Sequence, residues 1–264
     1  KSALVTGGTR GIGKAIASRL AEDGADIILN YKSDAGTADE TAAEIRALGR
    51  KVWIFQGDMK DDKAIRALTK QIKTEVGQLD ILVHNAAFGT MGKILRMGVF
   101  SWRAAMDINV TALLLLTQQL APLLQVRGGW IVGLSSIGAD MTFSEYACIG
   151  VSKAAMESLC RYIGYELAPL GIRCNAVSAG PVKTRALDWF KFPQAVDRYA
   201  ETKSPLHRMG KPEDLSGIVS FLCTEDADWI VGQTIRADGG ISMGENFMDW
   251  LTPEERAAAE SPSR

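Results

Sequence analysis

The sequence has little that would suit a metal site or a nucleic-acid surface. Its only two histidines, His84 and His207, cannot form a metal site alone, and no carboxylate motif accompanies them. The four cysteines are scattered without paired metal-ligand spacing, which predicts free thiols, no metal and a cytoplasmic location. The net charge is only −1, so charge predicts binding neither to nucleic acid nor to a membrane surface.

Long hydrophobic runs are also missing. The longest, 112–116, is far too short to span a bilayer. A strand-like segment begins almost at once, at 3–5, so we expect no signal peptide. The 264 residues, 47% of them hydrophobic, can bury one large core or, as the alternative, two small ones. We predict one domain over 1–240 and a charged, Ala-rich tail over 241–264.

Short apolar segments alternate with segments of helical periodicity along most of the chain. The predicted strands are 3–5, 25–30, 52–55, 79–83, 130–134, 171–177 and 234–237. The predicted helices are 11–23, 37–48, 62–76, a kinked or broken 100–124, 146–167 and 212–222. This alternation predicts an α/β fold, a single doubly wound parallel sheet with helices on both faces.

A glycine-rich loop follows the first strand and opens the first helix. Its sequence is Thr6-Gly7-Gly8-Thr9-Arg10-Gly11-Ile12-Gly13. Glycines let the backbone approach a pyrophosphate, and the helix N-terminus presents unpaired N–H groups to it. A tight turn without a ligand is the alternative. The predicted cofactor-binding residues here are Gly7, Thr9, Arg10, Gly11, Ile12 and Gly13.

Charge at the end of the second strand bears on the choice of dinucleotide. An acidic residue there would favour NAD, whereas cations accommodate the 2′-phosphate of NADP. The strand ends in Asn30-Tyr31-Lys32, with no acid at its tip, and Arg10 lies in the glycine loop. We therefore predict NADPH, bound in part by Tyr31 and Lys32. The alternative is that both cations are merely solvated.

Tyr146 and Lys153 lie seven residues apart in Tyr-Ala-Cys-Ile-Gly-Val-Ser-Lys. Seven residues is close to two turns at ~3.6 residues per turn, so we expect both side chains on one helix face. A phenol and an ammonium held together can assist a hydride transfer.

Six further motifs occur in a recognisable order. They are Asp58, His84-Asn85-Ala86-Ala87, Asn109, Ser135-Ser136, Gly180-Pro181 with Thr184, and Asp238-Gly239-Gly240. With the Gly7, Gly11, Gly13 spacing, they make the chain resemble the short-chain dehydrogenase/reductase superfamily along nearly its whole length. The resemblance implies a Rossmann-like fold and a homotetramer.

The resemblance also implies roles for individual residues. It assigns cofactor contacts to Asp58, Met59, Asn85, Ala86, Lys153, Gly180, Pro181, Val182 and Thr184. It gives Asn109 a catalytic or water-positioning role, and it places the family's catalytic serine at Ser135-Ser136. The segment beginning at His84 departs from the family's Asn-Asn-Ala-Gly at its first and last positions.

The tyrosine departs from the common spacing. Most members carry tyrosine four residues before the lysine, where this chain has Ile149, which cannot donate a proton. The Tyr-(six)-Lys spacing and its surroundings resemble the FabL type of enoyl-acyl-carrier-protein reductase. This likeness implies NADPH-dependent reduction of trans-2-enoyl thioesters in fatty acid biosynthesis, on acyl carrier protein, with Tyr146 and Lys153 catalytic.

A physical reason supports the altered spacing. In enoyl reduction the hydride goes to the β-carbon, and negative charge appears on the thioester oxygen two carbons away. Moving the tyrosine three residues earlier displaces its origin by about 4.5 Å along a helix. Tyr146 would then stabilise the enolate as an oxyanion donor does, and Ser135 and Ser136 would be structural.

Two alternatives stay open. A 3-oxoacyl thioester (carbonyl) reductase of the same superfamily remains if either serine reaches the substrate together with Tyr146. The other alternative is a non-catalytic NADP-binding regulatory protein. The intact glycine loop and Lys153 argue against it, because a scaffold needs no ribose-binding ammonium.

The segment 183–204 is predicted to form a substrate lid rich in bulky residues. An acyl chain suits such a lid, since each buried methylene gains ~0.8 kcal/mol. The predicted substrate-pocket residues are Phe88, Tyr146, Leu187, Trp189 and Phe190.

Overall fold

Seven strands form one parallel sheet in a computed structural model that describes residues 1–185, 187, 193–244 and 252. In chain order they are β1 Ser2–Val5, β2 Asp26–Tyr31, β3 Val52–Gln56, β4 Ile81–His84, β5 Gly129–Ser136, β6 Ile172–Ala179 and β7 Thr234–Ala237. Their spatial order is β3-β2-β1-β4-β5-β6-β7, and every pairing is parallel. The predicted strands and their parallel arrangement are therefore confirmed.

Helices cover both faces of the sheet. They are α1 Gly11–Glu22, α2 Ala35–Ala47, α3 Asp62–Gln71, α4 Val99–Met106, α5 Ala112–Leu124, α6 Ala147–Leu167, α7 Pro193–Lys203 and α8 Pro212–Leu222. Residues of α1, α2 and α8 pack on one face, and residues of α3, α5 and α6 pack on the other. Within β1, Val5 faces the first layer and Leu4 the second, both fully buried. Strands buried on both faces read as continuous apolar runs, as these do.

The predicted helix 100–124 is continuous rather than broken. A π-helical turn, Asp107–Thr111, joins α4 to α5 without an intervening loop. The stretch Val99–Leu124 is long and apolar enough to cross a membrane by length and composition. In this fold α5 instead contacts α3 and β5, and it buries Leu113, Leu116 and Leu120. It is a core helix here.

The strand order reverses at β1, which lies between β2 and β4. In doubly wound sheets a crevice opens at such a switch point, outside the carboxyl ends of the strands. The glycine loop follows β1, the segment starting at Asn85 follows β4, and Ser136 ends β5. The fold thus collects the predicted motifs at one edge of the sheet.

The core continues past residue 240, where we predicted the domain to end. Ile241 is only 5% exposed and packs in a small cluster with Ile137 and Ala200. Ala200 belongs to α7, within the predicted lid. The first residue of the predicted tail therefore belongs to the core.

Candidate active site

The glycine loop has the geometry of an anion cradle. Gly7 and Gly11 have φ values of +59° and +54°, which disfavour other residues. A Cβ added at Gly13 would lie 2.3 Å from the Gly7 carbonyl oxygen, so the helix start can pack this closely only as glycine. Arg10 caps α1 without a side-chain hydrogen bond, which leaves the first N–H groups open toward a ligand. The loop fits a pyrophosphate.

Neighbouring side chains hold this loop in place. The Asn85 amide nitrogen donates to the carbonyls of Thr6 and Gly7, at 3.0 Å each. The Thr41 hydroxyl donates to the Thr9 carbonyl at 2.8 Å. Asn85, predicted to bind the cofactor, therefore acts on the loop that would cradle it. Thr41 was missed because nothing in its local sequence signals this long-range contact.

His84 accounts for one departure from the family pattern. It is fully buried, with Nε2 3.0 Å from the Ile108 carbonyl oxygen and Nδ1 3.3 Å from the Thr6 hydroxyl. A carbonyl only accepts, so Nε2 carries the proton. Burial, with the charge of Lys153 second, lowers the pKa of His84 to about 3. The imidazole is thus a neutral structural group that ties β4 to the π-helical turn.

Lys32 and Asp58 meet at the ends of β2 and β3. Lys32 Nζ lies 2.8 Å from an Asp58 carboxylate oxygen. Partial burial opposes ionisation of Asp58, but hydrogen bonds from the Lys32 ammonium and the Lys60 backbone outweigh it and lower its pKa. The Arg10 side chain is exposed and makes no hydrogen bond or ion pair within the described residues. Arg10 is therefore the freer of the two predicted phosphate-binding cations.

Two other predicted cofactor residues lie at the same strand ends. Tyr31 is the last residue of β2 and is half-buried. The Met59 side chain is only 4% exposed and packs in the core, so its backbone alone could face a cofactor.

The segment after β6 reaches back to the glycine loop. A Cβ added at Gly11 would lie 3.5 Å from the Thr184 methyl carbon. A Cβ at Gly180 would lie 2.8 Å from Asp238 Cα, so this glycine permits a close approach of two backbones. Val182 is buried and forms an isolated parallel bridge with Gly210, while Pro181 is half-buried beside it. The fold thus joins two predicted cofactor segments that are far apart in sequence.

Tyr146 lies at the start of α6 with its hydroxyl beside β5. It is the N-cap residue, one position outside the helix rather than within it. Its hydroxyl is 3.2 Å from Ser136 Oγ, which also accepts the Gly138 N–H at 3.2 Å. Burial raises the pKa of Tyr146, and the Ser136 hydrogen bond offsets this only in part. The phenol is therefore neutral and can donate a hydrogen bond.

Lys153 is buried on α6 against the same strand. Its ammonium donates to the Leu134 carbonyl oxygen at 2.6 Å. Burial lowers the pKa of Lys153 to about 8, although Cys160 and Glu157 act to raise it. One turn later, Glu157 accepts a 2.5 Å hydrogen bond from Ser135. The two serines thus separate: Ser135 binds a structural carboxylate, and Ser136 meets Tyr146.

Asn109 lies in the π-helical turn and is fully buried. Its amide exchanges two 2.9 Å hydrogen bonds with the Phe88 backbone, and its nitrogen also donates to Ser152 Oγ at 2.7 Å. Because these bonds use both N–H donors and engage the carbonyl oxygen, the Asn109 side chain positions the backbone of Phe88 against α6. Ser152, missed from the sequence, completes this link.

The predicted substrate pocket is described only in part. Phe88 and Leu187 are half-buried, whereas Trp189 and Phe190 lie outside the described residues. An unpredicted residue, Phe143, packs edge-on against Tyr146, with ring centroids 6.1 Å apart.

Phe143 also packs edge-on against Tyr199 of α7, again with centroids 6.1 Å apart. It therefore links the lid helix to the tyrosine of the site. Its position three residues before Tyr146 is the one sequence signal that could have identified it.

Comparison with known proteins places these features in a family. The family model described as Enoyl-(Acyl carrier protein) reductase matches residues 7–242. The chain belongs to the short-chain dehydrogenase/reductase superfamily. It is an oxidoreductase of that superfamily, as the predicted motifs indicated.

Relatives with different named activities are similarly close. The chain is 34% identical over 242 residues to 1-cyclohexenylcarbonyl-CoA reductase of Streptomyces collinus, covering 91% of this chain and 86% of the relative. It is 33% identical over 244 residues to 3-oxoacyl-[acyl-carrier-protein] reductase FabG of Staphylococcus aureus, covering 92% and 98%. A short-chain dehydrogenase from Burkholderia cenocepacia, solved in complex with NADP, aligns with a TM-score of 0.84 at 33% identity, covering 91% and 97%.

Proposed function

We propose that this protein reduces the trans-2 double bond of enoyl thioesters with NADPH. The observation that carries the proposal is the identity of the phenol at the site. Tyr146 brings its hydroxyl to Ser136 at the end of β5, while the usual tyrosine position holds Ile149. Tyr146, separated from Lys153 by six residues, is therefore the tyrosine that supports this proposal.

NADPH is the cofactor that the site fits best. The glycine loop leaves room and open N–H groups for a pyrophosphate, and no acid stands at the tip of β2. Arg10 offers the 2′-phosphate a guanidinium that forms no ion pair in the part of the chain the structure describes, as Arg does for NADP in related folds. Lys32 would contribute by sharing its charge between that phosphate and Asp58. The relative from Burkholderia cenocepacia, bound to NADP, supports this choice.

The chain's own residues have distinct roles in this proposal. When bound, NADPH would supply the hydride to the β-carbon, and the resulting enolate would take its proton at the α-carbon from solvent. The neutral phenol of Tyr146 donates a hydrogen bond to the thioester oxygen and stabilises the charge that develops there. Lys153 binds the ribose hydroxyls, and its positive charge favours the developing anion. The Ser136 hydroxyl, held by the Gly138 N–H, orients the Tyr146 hydroxyl 3.2 Å away.

One observation favours a second candidate, the reduction of 3-oxoacyl thioesters. Although Tyr146 stands three residues earlier than the usual tyrosine, its hydroxyl still lies at β5, 3.2 Å from Ser136 Oγ. A serine and a tyrosine that meet in this way could also bind a ketone oxygen, and a FabG relative shares 33% identity. The relative named 1-cyclohexenylcarbonyl-CoA reductase, whose substrate is an unsaturated thioester, supports enoyl reduction instead.

Steady-state oxidation of NADPH with crotonyl and acetoacetyl thioesters, side by side, separates the two candidates. We expect a higher kcat/KM with the crotonyl thioester. Faster reduction of the acetoacetyl thioester would overturn the enoyl assignment in favour of the carbonyl one. Comparing each acyl group on coenzyme A and on acyl carrier protein tests the predicted carrier.

Assembly and location remain predictions. Large apolar side chains are exposed on and near the two helices expected at subunit contacts, including Tyr165 on α6, Phe221 on α8 and the fully exposed Trp229. They support the homotetramer implied by the resemblance. The cytoplasmic location is likewise still a prediction, which the four buried, free cysteines are consistent with.

A further inference from the structure

The ring of Tyr146 lies directly on the backbone of Gly138. Gly138 belongs to the 3-10 turn Ile137–Ala139 that follows β5. A Cβ added there would lie 2.4 Å from Tyr146 Cε1 and 2.6 Å from Tyr146 Cδ1, and Cβ atoms in proteins essentially never come this close to another heavy atom. The φ of Gly138 is not in the left-handed range, so only this contact requires glycine.

A second glycine brings α6 against the same turn. Gly150 is buried in α6, and a Cβ added to it would lie 2.4 Å from the Gly138 carbonyl oxygen. Glycine inside a helix costs about 1 kcal/mol relative to alanine, so it needs a compensating reason. The close approach of α6 to the turn supplies that reason, and it sets how deeply Tyr146 sits.

Ile149 faces a different neighbour. A Cβ added at Gly89 would lie 2.1 Å from Ile149 Cγ1, so Ile149 packs on the backbone that follows Phe88. That backbone is itself held by Asn109. The position that carries the usual tyrosine is therefore filled by an aliphatic side chain that packs on the backbone at Gly89, next to the hydrogen-bonded Phe88.

We propose that Gly138 and Gly150 form a backbone slot that positions Tyr146 for catalysis from its earlier place in the chain. Gly138 serves the site twice, since its N–H holds the Ser136 hydroxyl and its bare Cα receives the tyrosine ring. Both glycines are positioning residues that act through Tyr146. The inference rests on the part of the proposed function that makes Tyr146 the hydrogen-bond donor, whichever thioester is reduced.

Gly138→Ala tests the slot. The new methyl group meets the side of a movable ring, so we expect the ring to shift while the turn stays in place. A misplacement of about 1 Å can cost roughly 10²-fold in rate, and we expect kcat to fall by that order. The Kd for NADPH, measured by fluorescence titration, should not change. Gly98→Ala is the matched control, because a Cβ there meets nothing within 4 Å.

A double-mutant cycle with Tyr146→Phe identifies the route of the effect. If Gly138 acts through the phenol, Gly138→Ala should cost nothing further in kcat once the hydroxyl is gone. The same proportional loss in both backgrounds would overturn the proposal, as would a Gly138→Ala kcat within about twofold of wild type. A wild-type kcat in Tyr146→Phe itself would also overturn it.

The design separates this inference from the choice of reaction. All variants are assayed with the thioester that the wild-type protein reduces faster, so a preference for acetoacetyl thioester would sink the enoyl assignment but leave the cycle informative. If circular dichroism shows that Gly138→Ala does not fold, Gly150→Ala replaces it in the same cycle, with the same outcomes. A Cβ added at Gly150 would lie 3.6 Å from Tyr146 Cδ1, so it meets the same ring.

Discussion

Removing the hydroxyl of Tyr146 is the most direct perturbation of the site. Tyr146→Phe keeps the ring contacts with Gly138 and Phe143, so the folded structure should be retained. The variant loses only the 3.2 Å contact with Ser136 and the donor aimed at the substrate oxygen. The expected loss is therefore one of catalysis rather than of folding.

The magnitude follows from what remains. Deleting one oxyanion donor costs roughly 10²–10³-fold in kcat, about 2.7–4 kcal/mol. Ser136 stays in place after the substitution, because the Gly138 N–H still holds its hydroxyl at 3.2 Å. Lys153 also stays in place, and its positive charge still favours the developing anion, so we expect a loss near 10²-fold.

The assay is NADPH oxidation with crotonyl thioester, together with direct titration of NADPH binding. Tyr146→Phe should leave the Kd for NADPH unchanged, whereas Lys153→Ala should weaken it as well as slow the reaction. Gly98→Ala again serves as the control, because a Cβ there meets nothing within 4 Å. Full enoyl reduction by Tyr146→Phe would refute the reasoning.

Three further outcomes are expected. Arg10→Ala should raise the KM for NADPH about tenfold or more and the KM for NADH little, since a hydrogen bond to a charged group contributes ~1.5–3 kcal/mol. Lys32→Ala should raise the KM for NADPH less, because Lys32 is already ion-paired with Asp58. A wild-type preference for NADH would contradict both expectations. Because the pKa of buried His84 is about 3, below its unfolded value of 6.5, the unfolded chain binds more protons between these values. The contribution of His84 to the free energy of unfolding should therefore be complete above about pH 6.5 and fall by roughly 2 kcal/mol at pH 5. Urea unfolding should show that this pH dependence is lost in His84→Asn and kept in the exposed control His207→Gln. Equal slopes of stability against pH in all three proteins would refute it. Light scattering at micromolar concentration should show a homotetramer, and monomer alone would contradict the expectation.

Local patterns in the sequence predicted most of the fold. Short continuous apolar runs indicated the strands and the 3.6-residue periodicity indicated the helices, and the alternation of the two leaves few parallel topologies. The glycine loop was predictable for the same reason, because φ values near +55° at Gly7 and Gly11 exclude most side chains. The absence of a phenol at Ile149 was likewise visible directly.

Long-range partners could not be read in this way. Lys32 was predicted as a phosphate ligand, but its partner Asp58 follows a different strand. Asn109 was predicted to have a catalytic, water-positioning or helix-supporting role, but its hydrogen bonds to Phe88 and Ser152, which only the π-helical turn brings within reach, could not be predicted. Such pairings depend on how helices and strands pack against one another, and a single sequence contains no direct signal of that packing.

The two serines at the end of β5 show most plainly what the sequence determined and what the tertiary structure determined. The sequence alone determined that a serine ends the strand and that six residues separate the tyrosine from the lysine. It could not tell which serine meets that tyrosine. That answer depends on how α6 and its N-terminal residue pack against the end of β5, which the local sequence does not set. In the structure Ser136 meets Tyr146 at the start of α6, and Ser135 meets Glu157 further along the same helix.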